Sequence, residues 1–198
     1  KAANAGAVLE IDLNGYALTY TSDVAAHSAM ITVNSGSTLI VKDSKGTGKI
    51  VYTYTGAGDP SFGWGTYTIT NSGTLVVEGG TIEMSTPLNG AGSVEHMHCA
   101  IQASGSAKST TIYGGTVKNE TYRSIRINGG ALTVKGGDMV GQVWMQPSVE
   151  TTSIAIIGGN FEPKGVDASS VYVENGSKKV VMQISGGNFK TKLGVANP

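Results

Sequence analysis

Glu78-Gly79-Gly80-Thr81-Ile82 is the first of five phrases that share one pattern: any residue, Gly, Gly, a small polar residue, then a large apolar one. The others are Tyr113-Gly114-Gly115-Thr116-Val117, Lys135-Gly136-Gly137-Asp138-Met139, Ile157-Gly158-Gly159-Asn160-Phe161 and Ser185-Gly186-Gly187-Asn188-Phe189. Their second glycines are 35, 22, 22 and 28 residues apart. A phrase that returns every few dozen residues marks a solenoid, in which no single repeat can bury its apolar face alone.

The segments between the phrases are short and β-branched, and they are punctuated by Asn-Gly and Ser-Gly. No window carries the apolar spacing of an amphipathic helix, so strands are predicted throughout. From Met30 onward six coils can be laid over one another. Each has a first strand, a polar turn, a second strand, a Gly-Gly turn and a third strand. The clearest is Ile125-Arg126-Ile127, Asn128-Gly129-Gly130, Leu132-Thr133-Val134, then Met139-Val140. In the coil that begins at Ile31, Asp43-Ser44-Lys45-Gly46-Thr47-Gly48 takes the place of the double glycine.

This layout predicts an all-β fold, a single-stranded right-handed parallel β-helix of about six to seven coils with three short strands each. The hand follows from the rule for parallel crossovers. One domain is expected over 1–198. Residues 1–29 would form a cap and a first incomplete coil, 30–192 the six coils, and 193–198 a tail. Stacking places Ile82, Val117, Met139, Phe161 and Phe189 on one inner ladder. The double glycine becomes a corner, where a bend needs positive φ or no Cβ. Segments 53–65, 85–98 and 162–170 read as insertions that project from the corners.

Composition narrows the function classes. The chain has 29 Gly among 198 residues, only 14% charged residues, and 14 bases balanced by 14 acids. No basic stripe supports nucleic-acid binding. No apolar run is long enough to insert in a membrane as a helix. The single Cys99 cannot form an intrachain disulfide, and such avoidance of Cys suits an exported bacterial or viral protein; with Lys1 as the first residue the chain reads as a mature product, a fragment or a trimmed chain.

With its coil layout and Gly-Gly corners, the sequence resembles the pectin-lyase-like right-handed β-helices over about residues 8–192. Ile11-Asp12-Leu13-Asn14-Gly15, the run Ile31 to Leu39 and the train of Gly-Gly-x-aromatic units resemble repeats of secreted adhesin-like proteins of gut bacteria and their phages. The resemblance implies a test for catalysis. Polygalacturonase-like members carry paired aspartates, Gly-His-Gly and Arg-x-Lys; pectate-lyase-like members carry a calcium-binding carboxylate cluster and a catalytic Arg. This chain has no Asp-Asp and no Gly-His-Gly, and Arg126-Ile127-Asn128 lacks the Lys. The register also stacks no two acids on adjacent coils of one ladder, where a glycosidase needs a carboxylate pair. No catalytic residue, cofactor or metal is therefore expected. His96 and His98 have a spacing that suits two metal ligands; the alternative is a surface loop that leads into a buried Cys99.

The candidate ligand-binding residues lie on the first-strand face. If Val143 and Met145 point inward, Trp144 points outward, with Arg126 and Tyr172 beside it on the neighbouring coils. Exposed aromatics flanked by Arg suit stacking on sugar rings or anchoring a protein contact. The alternative is that a loop covers them. Phe62, Trp64 and Tyr67 form a second aromatic group of the same ambiguity. Mixed outward ladders disfavour the regular Thr array that matches ice. The expected function is a non-enzymatic adhesion or carbohydrate-binding module, extracellular, on a cell surface or on a virion, with a glycan or host-surface receptor as partner. The alternative is a phage fibre or receptor-binding structural protein, a possible homotrimer. The third reading is a polysaccharide lyase or hydrolase.

Overall fold

The computed structural model describes residues 6–23, 28–56, 65–86, 98–149, 151–164, 169–174 and 178–195. Within them the chain forms strands and turns with no helix, and all of its strand pairings are parallel. A seven-stranded sheet holds β1 (Val8–Asp12), β4 (Thr38–Lys42), β7 (Thr74–Val77), β10 (Ser109–Ile112), β12 (Gly130–Val134), β14 (Thr151–Ile156) and β17 (Lys179–Ile184), in that spatial order.

A twelve-stranded sheet holds the rest, and its partners fall into two rows. One row runs β2 (Ala17–Ser22), β5 (Lys49–Tyr54), β8 (Thr81–Ser85), β11 (Thr116–Ile127), β13 (Asp138–Met145), β15 (Asn160–Glu162) and β18 (Asn188–Phe189). The other runs β3 (Ser28–Val33), β6 (Thr66–Asn71), β9 (Cys99–Ala103), then the second halves of β11 and β13, then β16 (Val171–Val173) and β19 (Gly194–Val195). The two rows count as one sheet because β11 and β13 are continuous through the corner and serve both. Thr116 to Lys118 pairs with β8, and Arg123 to Ile127 pairs with β9. The architecture is a solenoid-like stack of parallel strands, as the spacing of the phrases predicts.

The core follows from this register. Ile50, Ile82, Val117, Met139 and Phe161 are consecutive partners and fully buried, and Phe189 ends their row. Val41, Val77, Ile112, Val134 and Ile156 do the same for the seven-stranded sheet. Ile69, Ile101, Ile125, Val143 and Val171 close the third side. Alternation along each strand delivers one branched residue per layer to a shared interior.

The corner between the seven-stranded sheet and the next row requires glycine at its second position throughout and at its first position in the later layers. The second glycine of each phrase has φ between +79° and +104°, where a Cβ is unfavourable. At Gly158, the first glycine, an added Cβ would lie 2.5 Å from the Lys135 carbonyl oxygen of the layer below. At Asn14-Gly15 both residues have positive φ, +48° and +81°, as that turn dipeptide predicts. Most of the expected projections fall on 57–64, 87–97 and 165–168, outside the described residues, as do Phe62, Trp64, His96 and the first five residues.

Candidate functional site

Arg126, Trp144 and Tyr172 are consecutive partners across β11, β13 and β16, so the structure brings the three predicted residues together. The expected exposure does not follow. Arg126 and Tyr172 are half-buried, but Trp144 is only 4% exposed. The cause is local to β11. Between Lys118 and Ile125 this strand carries more residues than β13 does between Val140 and Val143, with register shifts on both sides of Arg123. The extra chain brings Arg123 over the indole, its guanidinium carbon 3.2 Å from the ring centroid, while Arg126 lies at 5.0 Å. An outward-facing aromatic is thus roofed by two cations, an arrangement that attracts through the ring quadrupole.

A polar network holds this roof. Arg126 donates from Nη1 to the Tyr67 hydroxyl at 3.2 Å and from Nη2 to Gln146 Oε1 at 2.6 Å. Asn128 donates to the Gln146 carbonyl at 2.9 Å and accepts from Gln102 Nε2 at 3.3 Å. Burial pushes the Tyr67 hydroxyl up to about 12, so it stays protonated. Cys99, the register partner of Tyr67 and Arg123, is buried, and burial raises its thiol to about 12. It packs as a small neutral side chain.

His98 is buried as well. Its Nδ1 accepts from the Thr66 backbone N–H at 3.2 Å and sits 2.6 Å from the Thr66 hydroxyl. Its ring stacks on Tyr54 with centroids 4.8 Å apart. Burial lowers its pKa to about 4. Among the described residues no three His, Cys, Asp or Glu side chains group as metal ligands.

The face formed by β11, β13, β15 and β18 carries a second constellation, which the sequence reading did not single out. The small polar residue of each phrase forms one outward row: Thr81, Thr116, Asp138, Asn160 and Asn188. Asn188 Nδ2 donates to Asn160 Oδ1 at 2.9 Å, and Asn160 Nδ2 donates to Asp138 Oδ1 at 2.8 Å. These bonds point every amide the same way and leave further lone pairs and N–H groups open to solvent. Two residues along, a string of alternating charge crosses the layers. Lys118 lies 3.6 Å from Glu83 and 3.2 Å from Glu120; Lys164 lies 3.4 Å from Glu120 and 2.9 Å from Glu162; Lys190 closes on Glu162.

Beside these rows lies a groove of about 550 Å³, lined by Asp138, Asn160, Asn188, Glu162 and Lys190; Phe161, only 1% exposed, and Phe189 border it from the inner row. Those two rings stack 4.8 Å apart at 14°. The groove offers hydrogen-bond donors and acceptors at the layer spacing, roughly 4.8 Å. The Glu162 carboxylate is not matched to the role of a general acid. Hydrogen bonds from Lys190 and then Lys164 hold the Glu162 carboxyl down to about 2, whereas a general acid must keep its proton near neutral pH. The signal for this row was present in the sequence as the fourth position of the phrase, where Thr, Thr, Asp, Asn and Asn follow one another.

The chain matches no family model, and comparison with curated proteins and with solved structures returns no significant match.

Proposed function

We propose that this chain is a non-enzymatic, extracellular carbohydrate-binding or adhesion module, built as one right-handed parallel β-helix of seven turns. Three rows of seven strand positions, entered in the same order each time, support the winding. The observation that carries the binding reading is the Asp138–Asn160–Asn188 row beside the groove. Sugars are bound through arrays of amides and carboxylates that satisfy neighbouring hydroxyls. A polar row repeated at the layer spacing suits an extended saccharide that lies along the solenoid axis. Arg126, Trp144 and Tyr172 then act as scaffold for the adjacent face, with Arg126 and Tyr172 at its margin.

A glycan array probed with the purified chain tests the reading. Binding to a restricted set of glycans, lost in Asn160→Ala, supports it; an array that stays blank, or binding unchanged in that variant, removes it. The virion-fibre reading predicts a discrete trimer in solution by light scattering. Catalysis is not proposed, because Glu162 is held ionised by two lysines.

A further inference from the structure

We propose that the roof over Trp144 holds a small monovalent anion of chloride size, gripped by the indole N–H and the Arg126 guanidinium. The site is independent of the glycan reading and lies in the middle of the stack. Three observations point to it.

The first is a pair of donors without acceptors. Trp144 Nε1 and Arg126 Nε are both buried, and neither has a hydrogen-bond partner. Trp144 as a whole is only 4% exposed, so bulk solvent does not take up its N–H. An N–H buried without an acceptor is unfavourable, and native structures rarely leave one so. The two donors belong to adjacent layers. Arg126 and Trp144 are register partners, and the Arg126 guanidinium carbon lies 5.0 Å from the indole centroid. One acceptor seated between the two side chains serves both.

The second is charge. Arg126 directs Nη1 to the Tyr67 hydroxyl and Nη2 to Gln146 Oε1, both neutral groups. Among the described residues no carboxylate is in ion-pair contact with it. The groups beside it that can ionise do not supply a counter-charge, because burial pushes both the Tyr67 hydroxyl and the Cys99 thiol up to about 12. Arg126 is thus a half-buried cation with neutral neighbours, and a charge taken out of water is stabilised when it is paired.

The third is the kind of group that fits. Indole and guanidinium donate only. The Tyr67 oxygen already accepts from Arg126, which leaves its own O–H to donate. A water molecule brings two hydrogens that need acceptors of their own, whereas a halide accepts from several sides and brings none. Both N–H groups are enclosed, which excludes a carboxylate or phosphate carried on a larger ligand. The ion would tie the irregular segment of β11 to β13.

The test is NMR of the indole N–H groups in the full, isotope-labelled chain. The chain has two tryptophans, Trp64 and Trp144, and Trp144→Phe assigns the resonances. Sodium gluconate is replaced stepwise by sodium chloride, or by sodium bromide, at constant ionic strength. The expected result is a saturable shift of the Trp144 resonance, with different end points for the two halides. Arg126→Gln, which keeps an amide donor and removes the charge, should weaken binding about tenfold or more. The thermal midpoint of the parent should rise with chloride concentration, as linkage requires. A Trp144 resonance that ignores both halides, or that drifts without saturating, would overturn the proposal. So would an exchange signal between this N–H and water that persists at every halide concentration, or equal affinity in Arg126→Gln. The titrations of the parent decide the matter if that variant does not fold.

Discussion

The Arg123 guanidinium carbon stands 3.2 Å from the centroid of the Trp144 ring, on the side of the sheet that faces away from the core. That contact converts an outward strand position into an interior one. Trp144 contributes stacking and buried area, and it is not available as a platform. Trp144→Ala should therefore destabilise the fold by about 3–5 kcal/mol, the range for deleting a buried large aromatic. An exposed platform would change stability by only about 0.5 kcal/mol. Urea denaturation of the two chains separates these outcomes through the midpoint shift at constant slope.

His98 gives the fold a pH dependence of defined sign. Its native pKa lies near 4 because the ring is buried, whereas in the unfolded chain it returns to the ordinary value near 6.5. Between these values the unfolded state binds a proton that the native state does not, so stability is full above the unfolded pKa and falls as pH drops toward 4. A gap of this size corresponds to roughly 3 kcal/mol. His98→Asn retains an acceptor for the Thr66 N–H and should flatten this part of the stability–pH profile. A profile equally steep in the variant would assign the dependence to other groups.

The double-glycine corner predicts a contrast between two glycines of similar φ. Gly46 (φ +80°) has open space where a Cβ would go, whereas at Gly137 (φ +84°) the Cβ would lie 2.5 Å from the Gly115 carbonyl oxygen. Gly46→Ala should cost about 1–2 kcal/mol, the left-handed backbone penalty alone. Gly137→Ala adds a clash with rigid backbone and should cost clearly more. Thermal denaturation of both variants is the check, and equal losses would mean that the corner can spread without penalty.

These cases also show why some of the structure was legible beforehand. The inner row from Ile82 to Phe189 could be read because each member follows a double glycine, and the glycines fix the layer register. The pairing of Arg126 with Trp144 and Tyr172 followed from the same alignment. The burial of Trp144 did not, because it depends on the extra residues of β11, and alternation along a strand says which face a residue takes, not what lies over that face. The Asp138–Asn160–Asn188 row was passed over for a different reason. One small polar residue after a glycine pair reads as turn chemistry. Only stacking shows that successive copies hydrogen-bond to one another.

The ion string from Glu83 to Lys190 lies at the surface, with Glu120 and Lys190 exposed and the others half-buried, and surface pairs contribute little individually. Lys164 contacts both Glu120 and Glu162 and so links the two halves of the string. Lys164→Met should shift stability by no more than about 1 kcal/mol, less still at high salt. It should raise the pKa of Glu162, whose depression depends on Lys190 and Lys164. Carboxyl-detected NMR titration would register that upward shift, and an unchanged titration would leave Lys190 as the only partner that matters.

The most direct test of the central claim is calorimetric titration of the chain and of its Asn160→Ala and Asn188→Ala variants with a glycan selected on the array. Both side chains are exposed, so the variants should fold as the parent does. The account predicts saturable binding by the parent, weakened about tenfold or more in each variant through loss of hydrogen bonds to the ligand, with Arg126→Lys close to the parent. Equal affinity in parent, Asn160→Ala and Asn188→Ala would contradict it.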